Sequence, residues 1–114
     1  MMSVFQTEYG PTVYRALCNR VTDSIAVDNF AAFDPVQDAF VLVSLIGSGV
    51  HRRAEVEAVV RIEGGLVIVE YDHLIVTNRM YDHDEPEEAT ILHALVQAGI
   101  PREDIVLAYR SLIA

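Results

Sequence analysis

Residues 55–71 read EVEAVVRIEGGLVIVEY and carry the clearest structural signal in the chain. From Val56 to Ile62 every second residue is apolar and most of the others are charged, which predicts a strand with one face in water. Gly64-Gly65 supplies the two positive-φ positions of a tight turn, so that 66–71 returns as the second strand of a hairpin. The pairs expected across this turn are Ile62 with Val67, Val60 with Val69, and Ala58 with Tyr71. All six side chains then share one face, which makes the register self-consistent.

Two elements and a connection are predicted before the hairpin. Residues 39–46, AFVLVSLI, form a short continuous apolar run that predicts a largely buried strand ending at Gly47-Ser48-Gly49. Pro11 and apolar residues at four-residue spacing predict a helix from about Thr12 to Val27. The spaced residues are Val13, Leu17, Val21 and Ile25. Residues 28–38, which contain Asp34-Pro35, are predicted to be a loop.

The last third of the chain predicts a helix followed by a strand. Pro86 is expected to open the helix, with Glu87 and Glu88 near the positive end of its dipole. Gly99 followed by Pro101 ends it, and 104–109 is predicted to be a strand. The apolar stripe of the helix is Ile91, Leu92, Leu95 and Val96. Residues 74–77 predict a short extra strand or hairpin, and residues 81–85 predict an exposed acidic loop.

In order, these elements are a helix, three or four strands, a helix and a strand. The simplest packing is a single α+β domain over residues 1–114. Its sheet is mainly antiparallel, with four to five strands, and two helices pack on one face.

Composition narrows the class of function. The chain has 17 acidic and 8 basic side chains, and because nucleic-acid affinity comes from clustered cations, direct DNA binding is disfavoured. A hydrophobic content of 52% excludes a mostly disordered chain and favours a homo-oligomer. Cys18 is the single cysteine of the sequence, so no internal disulfide can form. The apolar runs are too short to cross a bilayer. We expect a cytoplasmic protein with no membrane association.

Two local clusters of charged and histidine residues are candidates for a functional site. His73, Asp82, His83 and Asp84 offer nitrogen and oxygen ligands, but their spacing matches no common zinc or calcium motif, which favours a solvated loop without metal or cofactor. Arg52-Arg53 is the only concentration of positive charge, and its guanidinium groups suit phosphate or an acidic partner. The alternative is that these arginines pair with Glu55, Glu57 or other carboxylates of the chain. No residue is predicted to be catalytic.

Residues 91–109 read ILHALVQAGIPREDIVLAY and carry the most specific pattern. They resemble the closing signature of the XisI-like family, the fdxN element excision controlling factor, in which a helix ends in Gly-Ile-Pro before Lys or Arg and Glu-Asp-Ile-Val-Leu. The matching residues are Gly99, Ile100, Pro101, Glu103, Asp104, Ile105, Val106 and Leu107. Upstream, Arg52-Arg53 falls where the family has paired arginines, and Gly64-Gly65 at its hairpin turn. The signature also has a purely structural interpretation. In it Gly99 ends the helix, Pro101 turns the chain, Glu103 and Asp104 are the acids of the turn, and residues 105–107 form a core strand.

The resemblance implies a role in DNA element excision. The founding member is needed, together with an endonuclease-like companion called XisH, for programmed excision in heterocyst-forming cyanobacteria, while the recombinase is a separate protein. We therefore predict a non-enzymatic accessory or regulatory factor that binds a protein partner, with a XisH-like nuclease as the candidate. An acidic domain can cover a basic nucleic-acid surface on such a partner, as an antidote does.

Two other functions stay open on the sequence. One is a direct DNA-binding accessory protein that uses Arg52 and Arg53, with Arg61 nearby. The other is a small metal-dependent hydrolase built on the histidines and acids of residues 73–84.

Overall fold

The computed structural model describes residues 7–20, 27–73 and 90–109. The helices are α1 (Gly10–Cys18) and α2 (Ile91–Gln97), and the strands are β1 (Val27–Asp34), β2 (Ala39–Ile46), β3 (Arg53–Glu63), β4 (Leu66–Asp72) and β5 (Ile105–Leu107). Single 3-10 turns lie at Gly49–His51 and Arg102–Asp104. The five strands form one sheet in chain order, antiparallel from β1 to β4 and parallel between β4 and β5. The predicted α+β fold is confirmed.

The hydrophobic core lies between the two helices and one face of the sheet. The helices contribute the buried side chains of Val13, Ala16, Leu17, Ile91, Leu92 and Leu95. The strands contribute Phe40, Leu42, Ala58, Val60, Ile62, Val67, Val69, Ile105 and Leu107. Complete burial of a Val or Leu side chain stabilises the fold by about 1.5–3 kcal/mol, so this cluster holds both helices on the same face.

The hairpin register is confirmed near the turn and wrong at its far end. Gly64 and Gly65 have φ of 60° and 78°, as the tight turn requires. Ile62 pairs with Val67 and Val60 with Val69. Ala58, however, pairs with Asp72 rather than Tyr71, because the β3–β4 register shifts between Val59 and Val60. A β-bulge of this kind inserts one extra residue, so every side chain beyond it changes face.

A second register shift lies between β2 and β3, at Leu42/Val43. Ala58 pairs with Leu42, but the next pair joins Val56 to Val43, so that Glu57 is the extra residue. Val56 was expected beside Ala58 on the buried face, and instead it lies on the opposite face and is 44% exposed.

The predicted first helix is too long, and the predicted loop contains a strand. α1 ends at Cys18 rather than Val27, and Val21 and Ile25 lie outside the described residues. β1 occupies most of the predicted 28–38 loop and pairs with β2 along its whole length. The true turn is residues 35–38, where Asp34 accepts a hydrogen bond from the Val36 N–H at 2.9 Å. That bond, offset in part by burial, lowers the pKa of Asp34.

α2 begins at Ile91 rather than at Pro86. Thr90 is extended, with φ −84° and ψ 158°, and its side chain accepts a hydrogen bond from the His93 N–H, which makes it the N-cap. The helix that contains Ile91 therefore does not run back to Pro86. Residues 74–77, 81–85 and 86–88, about which predictions were made, lie outside the described residues. Of the helices described, neither has the length and apolarity that crossing a bilayer requires.

Candidate functional site: an open sheet face and a polar cavity

The arginines predicted to contact a partner are paired with carboxylates of this chain. Arg52 Nη2 lies 2.8 Å from Asp28 Oδ2, and Arg53 Nε lies 3.2 Å from Glu55 Oε1. The side chains of Arg52 and Arg53 keep 42% and 63% of their surface exposed. Exposed pairs of this kind contribute roughly 0–1 kcal/mol, so either arginine can exchange its carboxylate for another acid at little cost. Contact with a partner stays a prediction.

Arg61, the third arginine of the DNA-binding alternative, is held more firmly. Its Nη2 lies 2.7 Å from Glu70 Oε1, its Nε lies 2.9 Å from the same oxygen, and its Nη1 lies 3.5 Å from Glu63 Oε2. The hydrogen bonds and charge of Glu70 raise the pKa of Arg61. Its charge is therefore offset by two acids, which leaves little free positive potential for phosphate.

The signature residues 99–107 form the corner that joins α2 to β5. Gly99 has φ of 105° just after the helix, which favours glycine, and Ile100 is buried. Glu103 and Asp104 lie in the 3-10 turn before β5. Asp104 Oδ2 accepts a hydrogen bond from the Tyr9 hydroxyl at 2.5 Å. That bond, followed by burial and the charges of nearby acids, raises the pKa of Tyr9.

The face of the sheet opposite the helices is mainly apolar, and the ion pair of Arg61 and Glu70 also lies on it. Strand register places on it the following apolar side chains, which we call the open face: Phe30, Val41, Val43, Leu45, Val56, Val59, Ile68 and Val106. Three of them, in three different strands, are among the most exposed large apolar side chains: Phe30 at 46%, Val56 at 44% and Val106 at 40%. Neither α1 nor α2 packs on the open face, because both lie over the core on the other side.

A polar cavity of about 250 Å³ lies on the helix-covered side, where the end of α1 and the start of α2 meet the sheet. Its lining residues are Arg20, Asn29, Leu42, Ser44, Glu57, Asp72 and Ile91. Ser44 and Asp72 are each 3% exposed. Asp72 Oδ2 accepts the Ile91 N–H at 2.9 Å, which satisfies one backbone donor at the start of α2.

The two bulges bring the acids into this polar cavity. With regular alternation beyond Val69, Tyr71 would face the core and Asp72 would lie on the open face. The β3–β4 bulge reverses the two, so Asp72 is buried and Tyr71 is half-buried. The β2–β3 bulge makes Glu57 an extra residue, and Glu57 lines the cavity. Bulges commonly re-aim a side chain next to a functional site.

Little of the proposed metal loop falls within the described residues. His73 is described, with its Nδ1 3.0 Å from the Tyr71 hydroxyl. Asp82, His83 and Asp84 lie outside the described ranges. Within residues 7–20, 27–73 and 90–109, no three His, Cys, Asp or Glu side chains are grouped to hold a metal ion.

Two solved structures are similar to this one over most of its length. A XisI-like protein from Anabaena variabilis matches with a TM-score of 0.61 and 19% sequence identity, covering 89% of this chain and 84% of that chain. The chain has the XisI fold. The fdxN element excision controlling factor XisI from the same organism matches with a TM-score of 0.54 and 20% identity, covering 89% and 88% of the two chains. No family model matches the chain, and no curated protein matches it in sequence.

The XisI fold is what the resemblance in residues 91–109 implied, and that expectation is confirmed. The open face and the polar cavity were not predicted. One signal for the open face was present, because the run at 39–46 is apolar at consecutive positions and so supplies apolar side chains to both sides of the sheet. The sequence gives no such signal for the cavity. The cavity depends on two bulges, and neither bulge interrupts the alternation of apolar residues in 56–62.

Proposed function

We propose that this chain is a non-enzymatic accessory factor that controls excision of a DNA element and that it acts by binding a protein partner. Support for the excision role comes from the fold, since one of the neighbours with the XisI fold is named an excision controlling factor. Support for action by binding comes from a single observation, the open face, which the two described helices leave uncovered.

The size of the open face fits a docking surface. Five strands spaced about 4.8 Å apart give a width of roughly 19 Å, and six residues of strand give a length of roughly 20 Å. The whole face, with Arg61 and Glu70 on it, therefore spans roughly 400 Å², and apolar patches of a few hundred Å² are often functional in soluble proteins. Leaving such a surface in water is unfavourable, and a partner that covers it removes that cost.

The net charge of this chain indicates what kind of partner it attracts. The chain carries a net charge of −9, so an approaching protein with basic residues around an apolar patch is attracted at long range. A second copy of this chain carries the same negative charge and is repelled. Self-association, favoured by composition, stays a prediction, and we propose the XisH-like nuclease companion as the occupant of the open face. A DNA-binding nuclease has the basic surface that this account requires, and we place the complex in the cytoplasm.

The test is co-purification of the tagged chain with the XisH-like protein of the same organism, both expressed in one cell. Val106→Asp puts a charge on the open face at a position that is 40% exposed, so the fold should accept it. Val36→Asp is the matched control, because Val36 is 83% exposed and lies in the β1–β2 turn, away from the open face. We expect the wild type and Val36→Asp to retain the companion and Val106→Asp to lose it, with circular dichroism showing that both variants are folded.

Failure of the wild type to retain the companion would contradict the proposal, as would retention by Val106→Asp at the wild-type level. The chain alone should not shift duplex DNA at low salt. A salt-dependent shift that Arg52→Gln and Arg53→Gln abolish would instead favour the DNA-binding alternative.

A further inference from the structure

The polar cavity contains hydrogen-bonding groups that the described residues do not satisfy. Ser44 is 3% exposed and lines the cavity, yet its hydroxyl has no hydrogen-bond partner among the described residues. The carboxylate of Glu57 and the guanidinium of Arg20, both in half-buried residues, are likewise unpaired within the described ranges. The one fully buried side-chain atom without a partner among the described residues is Thr7 Oγ1, so the groups around the cavity are in contact with water, and a bound molecule would replace that water.

The charges around the cavity are of both signs. Arg20 contributes a positive charge from two residues beyond α1, while Glu57 and Asp72 contribute negative charges from β3 and β4. A simple anion would meet two carboxylates, and a simple cation would meet a guanidinium group. A molecule with one anionic and one cationic group can satisfy both sides, with its anion on Arg20 and its cation on the acids.

The volume limits the size of this molecule. Since a water molecule in the liquid occupies about 30 Å³, a space of about 250 Å³ corresponds to roughly eight waters. A ligand of about the same number of non-hydrogen atoms fits, which is smaller than the usual drug-sized occupant of a pocket. Leu42 and Ile91 add an apolar patch to the wall, which suits a short hydrocarbon side chain.

We propose that the polar cavity binds a small zwitterion of the α-amino-acid class. The α-carboxylate lies against Arg20, the α-ammonium group against Glu57 and Asp72, and the Ser44 hydroxyl donates to the carboxylate. The side chain of the ligand contacts Leu42 and Ile91. This site is on the helix-covered side of the sheet, opposite the open face. Amino-acid binding there does not depend on whether the proposed partner binds.

The test is isothermal titration calorimetry of the full chain with the common α-amino acids, each supplied singly. For the best binder, the N-acetyl derivative, the amide, acetate and methylammonium serve as probes that lack one charge. We expect at least one amino acid to bind and each one-charge probe to bind about tenfold more weakly or worse, because each loses a charged hydrogen bond. Glu57→Gln, Arg20→Gln and Ser44→Ala should each weaken binding of the amino acid.

Two matched controls lie nearby. Arg15→Gln removes an arginine on the exposed side of α1, and Glu63→Gln removes an acid at the end of β3, and neither residue lines the polar cavity. Both variants should bind as the wild type does. A thermal melt of each variant shows that it is folded, and a bound amino acid should raise the melting temperature of the wild type. Absence of binding by every amino acid would overturn the proposal. So would wild-type binding by folded Glu57→Gln and Arg20→Gln, or equal affinity for acetate alone.

Discussion

Val56→Thr and Val60→Thr are the same substitution, four residues apart in β3, and they should have different effects on stability. Regular alternation would place both side chains on the buried face with Ala58 and Ile62. The bulge at Glu57 instead turns Val56 to the open face, where it is 44% exposed, whereas Val60 is 0% exposed. The pair of variants therefore tests the bulge that re-aims Glu57 into the polar cavity.

The expected difference follows from burial of one hydroxyl group. Threonine keeps the β-branched shape and strand preference of valine, so packing and propensity change little. At Val60 the hydroxyl is buried among apolar side chains, which costs about 1–3 kcal/mol. At Val56 it stays in water, and the free energy of unfolding should change by less than about 0.5 kcal/mol. For a domain of 114 residues each kcal/mol lowers the melting temperature by roughly 4 °C.

Urea unfolding, followed by far-ultraviolet circular dichroism, measures both variants against the wild type. The slope of the free energy with urea should be unchanged, so that the midpoints report stability alone. Equal destabilisation by Val56→Thr and Val60→Thr would mean that the two residues share a face. In that case the bulge, and with it the position of Glu57, would be wrong.

Three further predictions concern other parts of the structure. Gly99→Ala should destabilise the fold by about 1–2 kcal/mol in urea, because φ of 105° strains any side chain while no atom lies within 4 Å of the new Cβ. Asp72→Ala should cost about 1–3 kcal/mol and speed hydrogen exchange at the Ile91 amide, which loses its acceptor. The Asp104 hydrogen bond raises the pKa of Tyr9 above 10.0, so the stability it gives is complete below that pH and is lost as pH rises through the raised value. Asp104→Asn should move the tyrosinate titration, read by ultraviolet absorbance, to lower pH.

Local patterns were sufficient to predict the elements but not always their ends. The strand 39–46 was predicted with its observed bounds, because the apolar run is continuous and a glycine pair follows it. The first helix was predicted too long because apolar residues continue at four-residue spacing beyond Cys18, although the chain leaves the helix there. β1 was missed since its sequence, VDNFAAFD, has no clean alternation, and its place is set by pairing with β2.

The candidate site could not be predicted because it depends on tertiary register. A bulge adds one residue to a strand without changing the apolar pattern, so Glu57 and Asp72 could not be assigned to the buried side from sequence. The open face is also a matter of packing. An apolar run predicts that both sides of a strand avoid water, whereas here the described helices cover one side only.

The central claim, that the open face is the docking surface, is tested most directly by NMR of the chain with methyl-labelled valines as the XisH-like companion is added. Valines of both faces are available in the same strands and serve as internal references. If the companion binds the open face, the methyl signals of Val43, Val56 and Val106 should shift or broaden on binding, while those of Val60 and Val69 in the core should not. Binding that leaves the open-face valines unchanged would contradict that claim.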